Sequence, residues 1–320
     1  MDLSPVTQNL GQLATVLGIV AVTKSVAKLL DTVSDQVGLY LEPIHTRRKS
    51  QAEAGALKTE ATAKAEVSVI KLENKIDIEN IKDRAAERVG KREEKRQQNI
   101  EAIIKQAADK MPEHVSDESV DEDWVAQFFE NCQDVSNEQM QSVWARLLAG
   151  EVVKPGSFSR RSLAVVKVMS KADADLFTQF CSTVWQTPEG LKPFVIFSDG
   201  TRSIASANLN LDDFIHLDGL GVIRYEGASG FNIRYEFSEI PTTWLYYNKL
   251  RILSKNDAIE IYYGECVLTD IGQQLFTISG SSPNEDYRSW VVQTLRGYGW
   301  DVNDNVQSLA TSAASKTPST

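Results

Sequence analysis

The most apolar part of the chain lies near its N-terminus. Residues 13–22 have the sequence LATVLGIVAV, and no charge occurs from residue 3 to residue 23. Polar side chains interrupt this stretch before it reaches the roughly 20 apolar residues of a spanning helix. We therefore predict an apolar or amphipathic helix over residues 1–44, which contacts a membrane surface or a partner protein through residues 10–41. A membrane span is the less favoured alternative. The predicted contact residues are Leu13, Val16, Leu17 and Val20.

A long polar segment follows, over residues 45–111. It is rich in Ala, Glu, Lys, Arg and Gln, and it contains no Pro and only two glycines, so residues that favour helix dominate it. Its sparse apolar positions keep no heptad register, which argues against a regular dimeric coiled coil. We predict a charged helical arm that packs on other copies or on the body of the protein. The simpler interpretation is a helix with a solvated face.

Residues 112–123 are predicted to be an acidic linker, and residues 124–190 a small helical bundle. Acids at the end of the linker lie where the dipole of the next helix favours negative charge. Ser136 and Ser170 have the spacing of capping boxes, and Ser157 or Ser159 is expected to cap a helix between them. The core of this region is predicted to consist of side chains that are buried together on one helical face, namely Trp144, Leu147 and Leu148.

Residues 191–300 mix predicted strands with predicted helices. Segments 222–226 and 231–237, joined by Gly-Ala-Ser-Gly, predict a β-hairpin with a four-residue loop. Segments 244–253 and 259–268 predict two more strands. A helix is expected to begin after Thr269, and this order of elements resembles a winged-helix domain. The tail, residues 301–320, is predicted to be disordered.

The predicted fold class is therefore α+β and mostly helical. It comprises an N-terminal apolar helix, a long charged helical arm, a small helical bundle and a C-terminal winged-helix-like α/β part.

Charge is distributed unevenly along the chain. The formal net charge is −10, yet residues 46–110 carry 16 Lys and Arg against 12 Asp and Glu. Residues 111–320 carry 16 basic against 28 acidic side chains. The acidic balance opposes non-specific binding to nucleic acid. A mildly basic arm of one copy is thus able to approach the acidic body of another.

The sequence shows no recognisable catalytic centre. Neither common phosphate-binding glycine loop occurs, and no His, Cys or acid has the spacing of a helical metal site, so we expect no cofactor and no metal. The three cysteines, Cys132, Cys181 and Cys266, are widely spaced and form no CxxC motif, which argues against a disulfide framework. We therefore expect each to be a buried, reduced thiol. His216 is expected to pair with Asp212 or Asp213 as a structural side chain.

One basic cluster has the composition of an interaction site. Lys154, Arg160 and Arg161 surround a Pro-Gly turn that precedes a helix. They are expected to form an anion site or to pair with the acidic linker. A solvated surface cluster is the simpler interpretation.

The middle of the chain resembles a known family. The run WARLLAGEVVKPGSFSRRSL (residues 144–163), the arm ending in KREEKRQQNIEAIIKQA and the later VLTDIGQQLFTISG resemble the bacterial domain-of-unknown-function 2806 family. A shorter form of the first motif is also similar to abortive-infection alpha type proteins. The resemblance implies a bacterial protein that is cytoplasmic or close to a membrane. By association with the abortive-infection proteins, it also implies a place in phage defence. It brings no catalytic residues with it.

Three hypotheses compete. The first is a non-catalytic binding or assembly protein, expected to be a homo-oligomer that is cytoplasmic or peripheral to the inner membrane. The second is a nucleic-acid-binding regulator acting through the winged-helix-like part, and the acidic charge of the body argues against it. The third is an enzyme of an unrecognised kind.

Overall fold

The computed structural model describes residues 5–34, 69–195, 206–227, 229–234, 245–247, 251–253, 260–297 and 301–303. The chain divides into two compact units, Met1–Gly156 and Ser157–Thr320. The boundary falls within the WARLLAGEVVKPGSFSRRSL motif, and so within the segment 124–190 that the sequence grouped as one bundle. The physical reason is the Pro155-Gly156 turn. The helix before it packs in the first unit, whereas the helix after it packs in the second.

The described part of the first unit consists of helices. They are α1 (Pro5–Val16), α2 (Lys24–Val33), α3 (Val69–Ala108), α4 (Glu122–Cys132) and α5 (Glu138–Val153). In this unit α3 and α2 both pack on α5, and α1 packs on α2. None of the helices described here combines the length and the apolar character needed to cross a bilayer.

The N-terminal apolar stretch is two helices, and the prediction of one helix is wrong. Gly18 adopts a positive φ of 65° just after α1. Its N–H donates to Thr15 O at 3.1 Å, and Ile19 N–H donates to Ala14 O at 2.9 Å. This is the double hydrogen bond of a Schellman motif, which ends a helix at a left-handed glycine. Thr23 then caps α2 by accepting from Val26 N–H at 3.2 Å. The later part of the predicted segment, residues 35–44, lies outside the described residues.

The predicted arm contains one continuous helix, α3, of 40 residues. At 1.5 Å per residue it extends about 60 Å. Its C-terminal end enters the unit, where the side chains buried against α5 and α4 are Asn99, Ile100, Ile103, Ile104, Ala107 and Ala108. Residues 45–68 of the predicted arm lie outside the described residues.

The caps of the next helices follow the local sequence. Asp121 accepts from Trp124 N–H at 2.7 Å and begins α4, as the acidic linker predicts. Helix α5 is capped by Asn137, whose side chain accepts from Met140 N–H at 3.0 Å, and not by Ser136. Asn and Ser are equally good N-cap residues, so the local sequence does not distinguish two neighbouring candidates such as Ser136 and Asn137.

The second unit combines helices with short antiparallel strand pairs. Its helices are α6 (Arg160–Val168), α7 (Lys171–Cys181), α8 (Leu211–Gly219), α9 (Asp270–Phe276) and α10 (Glu285–Gly297). Its strands are β1 (Val184–Thr187), β2 (Gly190–Pro193), β3 (Ile223–Tyr225), β4 (Phe231–Arg234), β5 (Arg251–Leu253), β6 (Glu260–Gly264), β7 (Cys266–Leu268) and β8 (Asp301–Asn303). The chain is thus α+β and mostly helical, as predicted.

The predicted hairpin over 222–237 is wrong. Strands β3 and β4 do not pair with each other, since β3 pairs with β7 and β4 with β6, both antiparallel. The partners are therefore about 30 to 40 residues away along the chain. A real hairpin, β1 with β2, crosses residue 190, where the predicted helical bundle ends and the predicted mixed α/β segment begins. Its turn contains Pro188 and Gly190, a signal the prediction overlooked.

Two other predictions near the C-terminus need correction. The predicted strand 244–253 is not continuous, because Tyr247 has a φ of +48°, which strands do not adopt. Only β5 at its end is described as a strand. The predicted disordered tail begins too early, since residues 301–303 form β8 and pair with β5. Val302 is buried there, so an apolar side chain holds the pair in place. Residues 304–320 lie outside the described residues.

Candidate interaction site

Helix α2 is fixed to its own unit through one apolar face. Val26, Leu29, Leu30 and Val33 recur at helical spacing and are all buried. They pack towards α5. The sequence predicts that a membrane surface or a partner protein covers residues 10–41, the range that includes α2. For α2 the structure shows burial within the same chain.

Two polar side chains of α2 hold the acidic linker in place. Ser25 Oγ donates to Glu113 O at 3.0 Å. Lys28 Nζ donates to Ser116 O at 2.6 Å and to Val152 O at 3.0 Å. Val152 O is one of the last carbonyls of α5, where a helix dipole favours positive charge. Lys28 thus joins three segments, a role that its sequence context does not reveal.

Replacing Lys28 tests this arrangement. We expect Lys28→Met to lower the free energy of unfolding by about 1.5–3 kcal/mol, the usual contribution of hydrogen bonds to a charged group. Lys24→Met is the matched control. Lys24 pairs with Asp117 at 3.2 Å, but both side chains are more than 80% exposed, so the change should be within about 0.5 kcal/mol. Urea unfolding of both variants measures the difference. Equal effects would contradict the role assigned to Lys28.

The four predicted contact residues near the N-terminus separate into two pairs. Leu13 and Leu17 are buried within their own unit, so they are not available to a partner. Val16 is 55% exposed and Val20 is fully exposed. Val16 lies at the end of α1, and Val20 lies in the extended segment before α2. Of the four predicted contact residues, these two are therefore accessible to a partner.

Helix α3 extends beyond its unit before it becomes buried. From residue 80 to residue 95 every side chain except the half-buried Ala85 is exposed. Ile81 and Val89 are 56% and 45% exposed, although they are large apolar residues. The helix meets the unit at Arg96, whose guanidinium donates to both carboxylate oxygens of Asp134 at 2.7 and 2.8 Å. The hydrogen bond to Asp134 raises the pKa of Arg96. We call residues 80–95 the projecting segment.

The motif core lies in the interior of the first unit. Trp144, Leu147 and Leu148 have no exposed surface, as the spacing predicts. The Trp144 ring meets Phe128 edge to face, with 5.3 Å between centroids. Its Nε1 has no hydrogen-bond partner among the described residues. Trp144 therefore stabilises the unit by packing and not by a polar contact.

The predicted basic cluster spans the boundary between the units. Lys154 is the C-cap residue of α5 in the first unit, whereas Arg160 and Arg161 are the first two residues of α6 in the second. All three side chains are exposed. In the described residues, the linker acid Asp117 pairs with Lys24. The binding role predicted for Lys154, Arg160 and Arg161 stays a prediction.

Two motifs that carry the family resemblance meet in the second unit. Gln274 of the VLTDIGQQLF segment accepts from Ser159 N–H at 2.8 Å and from Ser162 Oγ at 2.6 Å. Ser159 is also the N-cap of α6. One amide oxygen therefore links the start of α6 to α9, more than 110 residues later. Sequence reasoning found both segments but had no signal for this contact.

The groups with possible catalytic chemistry occupy structural positions. The thiols of Cys132, Cys181 and Cys266 are free and buried, and burial raises the pKa of each. His216 Nε2 lies 2.6 Å from Asp173 Oδ1, so the expected pairing with Asp212 or Asp213 is wrong. Burial alone would raise the pKa of Asp173. Hydrogen bonds from Ser170 and His216 lower it below its usual value. Within the described ranges, no three His, Cys, Asp or Glu side chains cluster as metal ligands do.

A cavity of about 300 Å³ opens in the second unit beside the β1–β2 hairpin. Its wall includes Tyr247, whose hydroxyl donates to Ser281 Oγ at 2.8 Å, and Leu191. The left-handed backbone of Tyr247 is uncommon for a residue with a side chain. No charged side chain lines the cavity among the described residues.

The comparisons with known proteins agree with the motifs. No curated protein and no solved structure matches the chain. The sequence model of the family described as "Protein of unknown function (DUF2806)" matches residues 83–292. The match covers most of the chain and spans both units, from the projecting segment to α10. The chain therefore belongs to the DUF2806 family.

Proposed function

We propose that this protein acts by binding and assembly and not by catalysis, and that it associates with other copies of itself through the projecting segment of α3. The observation that carries the proposal is the exposure of this segment on all sides while its helix continues without a break into a buried core. Long helices gain most of their stability from packing and little from propensity. A partner for residues 80–95 would supply that packing.

The apolar positions of the segment favour a protein partner. Ile81, Ala85 and Val89 are four residues apart and so lie on one helical face. Two of them are large, apolar and about half exposed. A helix in water usually points such side chains at a core. The same stripe on a second copy is able to cover them.

The N-terminal surface supplies a second proposed contact. Val16 and Val20 are exposed next to a stretch without charge. We propose that they contact a partner protein or the surface of a membrane, which would place the protein at the periphery of the inner membrane or in the cytoplasm. Contiguous exposed apolar surface commonly marks such a site.

The winged-helix interpretation of the second unit remains a proposal with less support. The order α8, β3, β7 and α9 and the antiparallel pairing of β3 with β7 favour it. However, α8 carries Asp212, Asp213 and Asp218, and phosphates repel such a helix. Asp213 closes a capping box and Asp218 accepts from Tyr225 N–H, so these acids have structural roles. The assembly hypothesis is therefore preferred to a nucleic-acid regulator.

The solution mass of the full-length protein tests the assembly proposal. We expect a mass at least twice that of the 35.6 kDa chain, by light scattering coupled to gel filtration. The double variant Ile81→Ser, Val89→Ser should shift the mass towards a single chain, because the apolar stripe is lost. Val168→Ser, which alters a side chain 70% exposed on the other unit, is the control and should remain assembled. A monomeric wild-type protein would overturn the proposal.

A further inference from the structure

Seven of the ten charged side chains in the projecting segment lie on two separate faces of the helix. Arg84, Arg88, Lys91 and Lys95 are spaced four, three and four residues apart, so they lie on one face over about 16 Å of helix. We call this set the basic face. Asp83, Glu87 and Glu94 share a different face by the same spacing. All seven side chains are exposed. The sequence average of the arm, which is only mildly basic, conceals this separation.

A strongly acidic surface occurs in the same unit. Residues 109–138 contain ten Asp and Glu and a single Lys, and every one of these acids is exposed. They occupy the linker, both ends of α4 and the start of α5. We call them the acidic segment. The acidic segment and the basic face have opposite charge and are both open to solvent.

One arginine that follows the basic face along α3, Arg96, already contacts the acidic segment of its own chain. Arg96 forms its two hydrogen bonds with Asp134, which belongs to the acidic segment. Such paired hydrogen bonds between Arg and a carboxylate are strong and geometrically specific. Towards its N-terminus the helix continues away from the unit, since residues 80–95 are exposed. Among the residues that the structure describes, none of the four side chains of the basic face pairs with the acidic segment of its own chain.

We propose that the basic face of one copy docks on the acidic segment of a second copy. This inference rests on the proposed self-association and names its surfaces. Two equivalent contacts, each arm on the other body, form a closed two-fold dimer of the kind most common among homo-oligomers. The apolar stripe of Ile81 and Val89 borders the basic face and is covered in the same contact.

Competing charges on the same helix do not remove this attraction. Lys91 pairs with Glu87 at 2.7 Å, and Arg92 with Glu93 at 3.2 Å. All four of these side chains are more than half exposed, and exposed pairs of this kind contribute little and exchange readily. A nucleic acid is the other partner that a basic face attracts. The ten acids of the acidic segment and the four acids of the projecting segment oppose it.

Charge reversal with compensation tests the proposal. The first variant, Arg84→Glu, Arg88→Glu, Lys91→Glu and Lys95→Glu, carries an acidic arm. The second, Glu113→Lys, Glu118→Lys and Glu130→Lys, carries a basic body. Each alone should weaken self-association by at least about tenfold in Kd, because like charges then face each other. An equal mixture of the two should restore the dimer as a heterodimer, which sedimentation velocity with one labelled variant detects.

The matched control changes the other face of the same helix. Asp83→Lys, Glu87→Lys and Glu94→Lys should leave the dimer intact. The wild-type dimer should weaken between about 50 mM and about 500 mM NaCl, since salt screens exposed charges. An oligomer that tolerates both reversals overturns this inference alone, whereas a monomeric wild type overturns the proposed function with it. Binding of a short DNA duplex that is lost in the first variant, without self-association, identifies nucleic acid as the partner and also overturns it.

Discussion

Trp144→Ala should destabilise the first unit by about 3–5 kcal/mol, the usual cost of removing a fully buried large aromatic side chain. Trp144 has no exposed surface, and it packs against Phe128 at the centre of the unit. Urea unfolding followed by circular dichroism measures the loss. A loss of this size can exceed a third of the stability of a typical domain, so the variant should also yield less folded protein.

Trp144→Phe separates packing from polar effects. Because Nε1 has no hydrogen-bond partner among the described residues, the substitution removes volume without breaking a hydrogen bond. We expect it to cost clearly less than the alanine variant. If both variants unfold as wild type does, Trp144 is not the packing centre of this unit.

Gly264→Ala should have an effect of similar size in the second unit. Gly264 has a φ of +118°, which side chains rarely tolerate, and an added Cβ would lie 1.5 Å from Val195 O. Backbone atoms are unable to move aside as a flexible side chain does. Gly264 and Val195 also form a parallel bridge, so the close approach is part of the strand arrangement. We expect a loss of about 3 kcal/mol or more, since strain and displacement of the bridge add together.

Gly219→Ala is the matched control for this prediction. Nothing lies within 4 Å of the position that its Cβ would take, and its backbone is not left-handed. Gly219 is the last residue of α8, so alanine should be neutral or slightly stabilising. Thermal unfolding of both variants provides the comparison. A Gly264→Ala protein as stable as Gly219→Ala would contradict the close approach of residues 195 and 264.

The sequence predicts local features well because their causes are local. Asp121, Ser159, Ser170 and Thr269 cap helices as expected, since a cap requires a side chain and a backbone N–H three residues later. The burial of Trp144 follows from helical spacing for the same reason. A cap is contained in four residues, so nothing distant has to be known.

Contacts between distant segments are less predictable. Strand β3 pairs with β7, which lies about 40 residues later in the chain. The loop from β3 to β4 is much shorter, so the sequence predicted β4 as the partner, and that prediction is wrong. Lys28 binds carbonyl groups 88 and 124 residues away, and carbonyl groups carry no sequence signature. The helix end at Gly18 has a local cause, a glycine with a positive φ, but the uninterrupted apolar stretch led to the prediction of a single helix.

The order of contacts along the chain has a consequence for synthesis on the ribosome. In the second unit the Tyr287 hydroxyl lies 2.8 Å from Thr183 O and 2.7 Å from Phe194 O, across about 100 residues, and Gln274 joins α9 to α6. That core therefore has no complete set of partners until α10 has left the exit tunnel. The first unit is complete at Gly156, so it is able to fold while the rest is translated. During translation, nascent chains on neighbouring ribosomes would present a finished first unit before the second has formed.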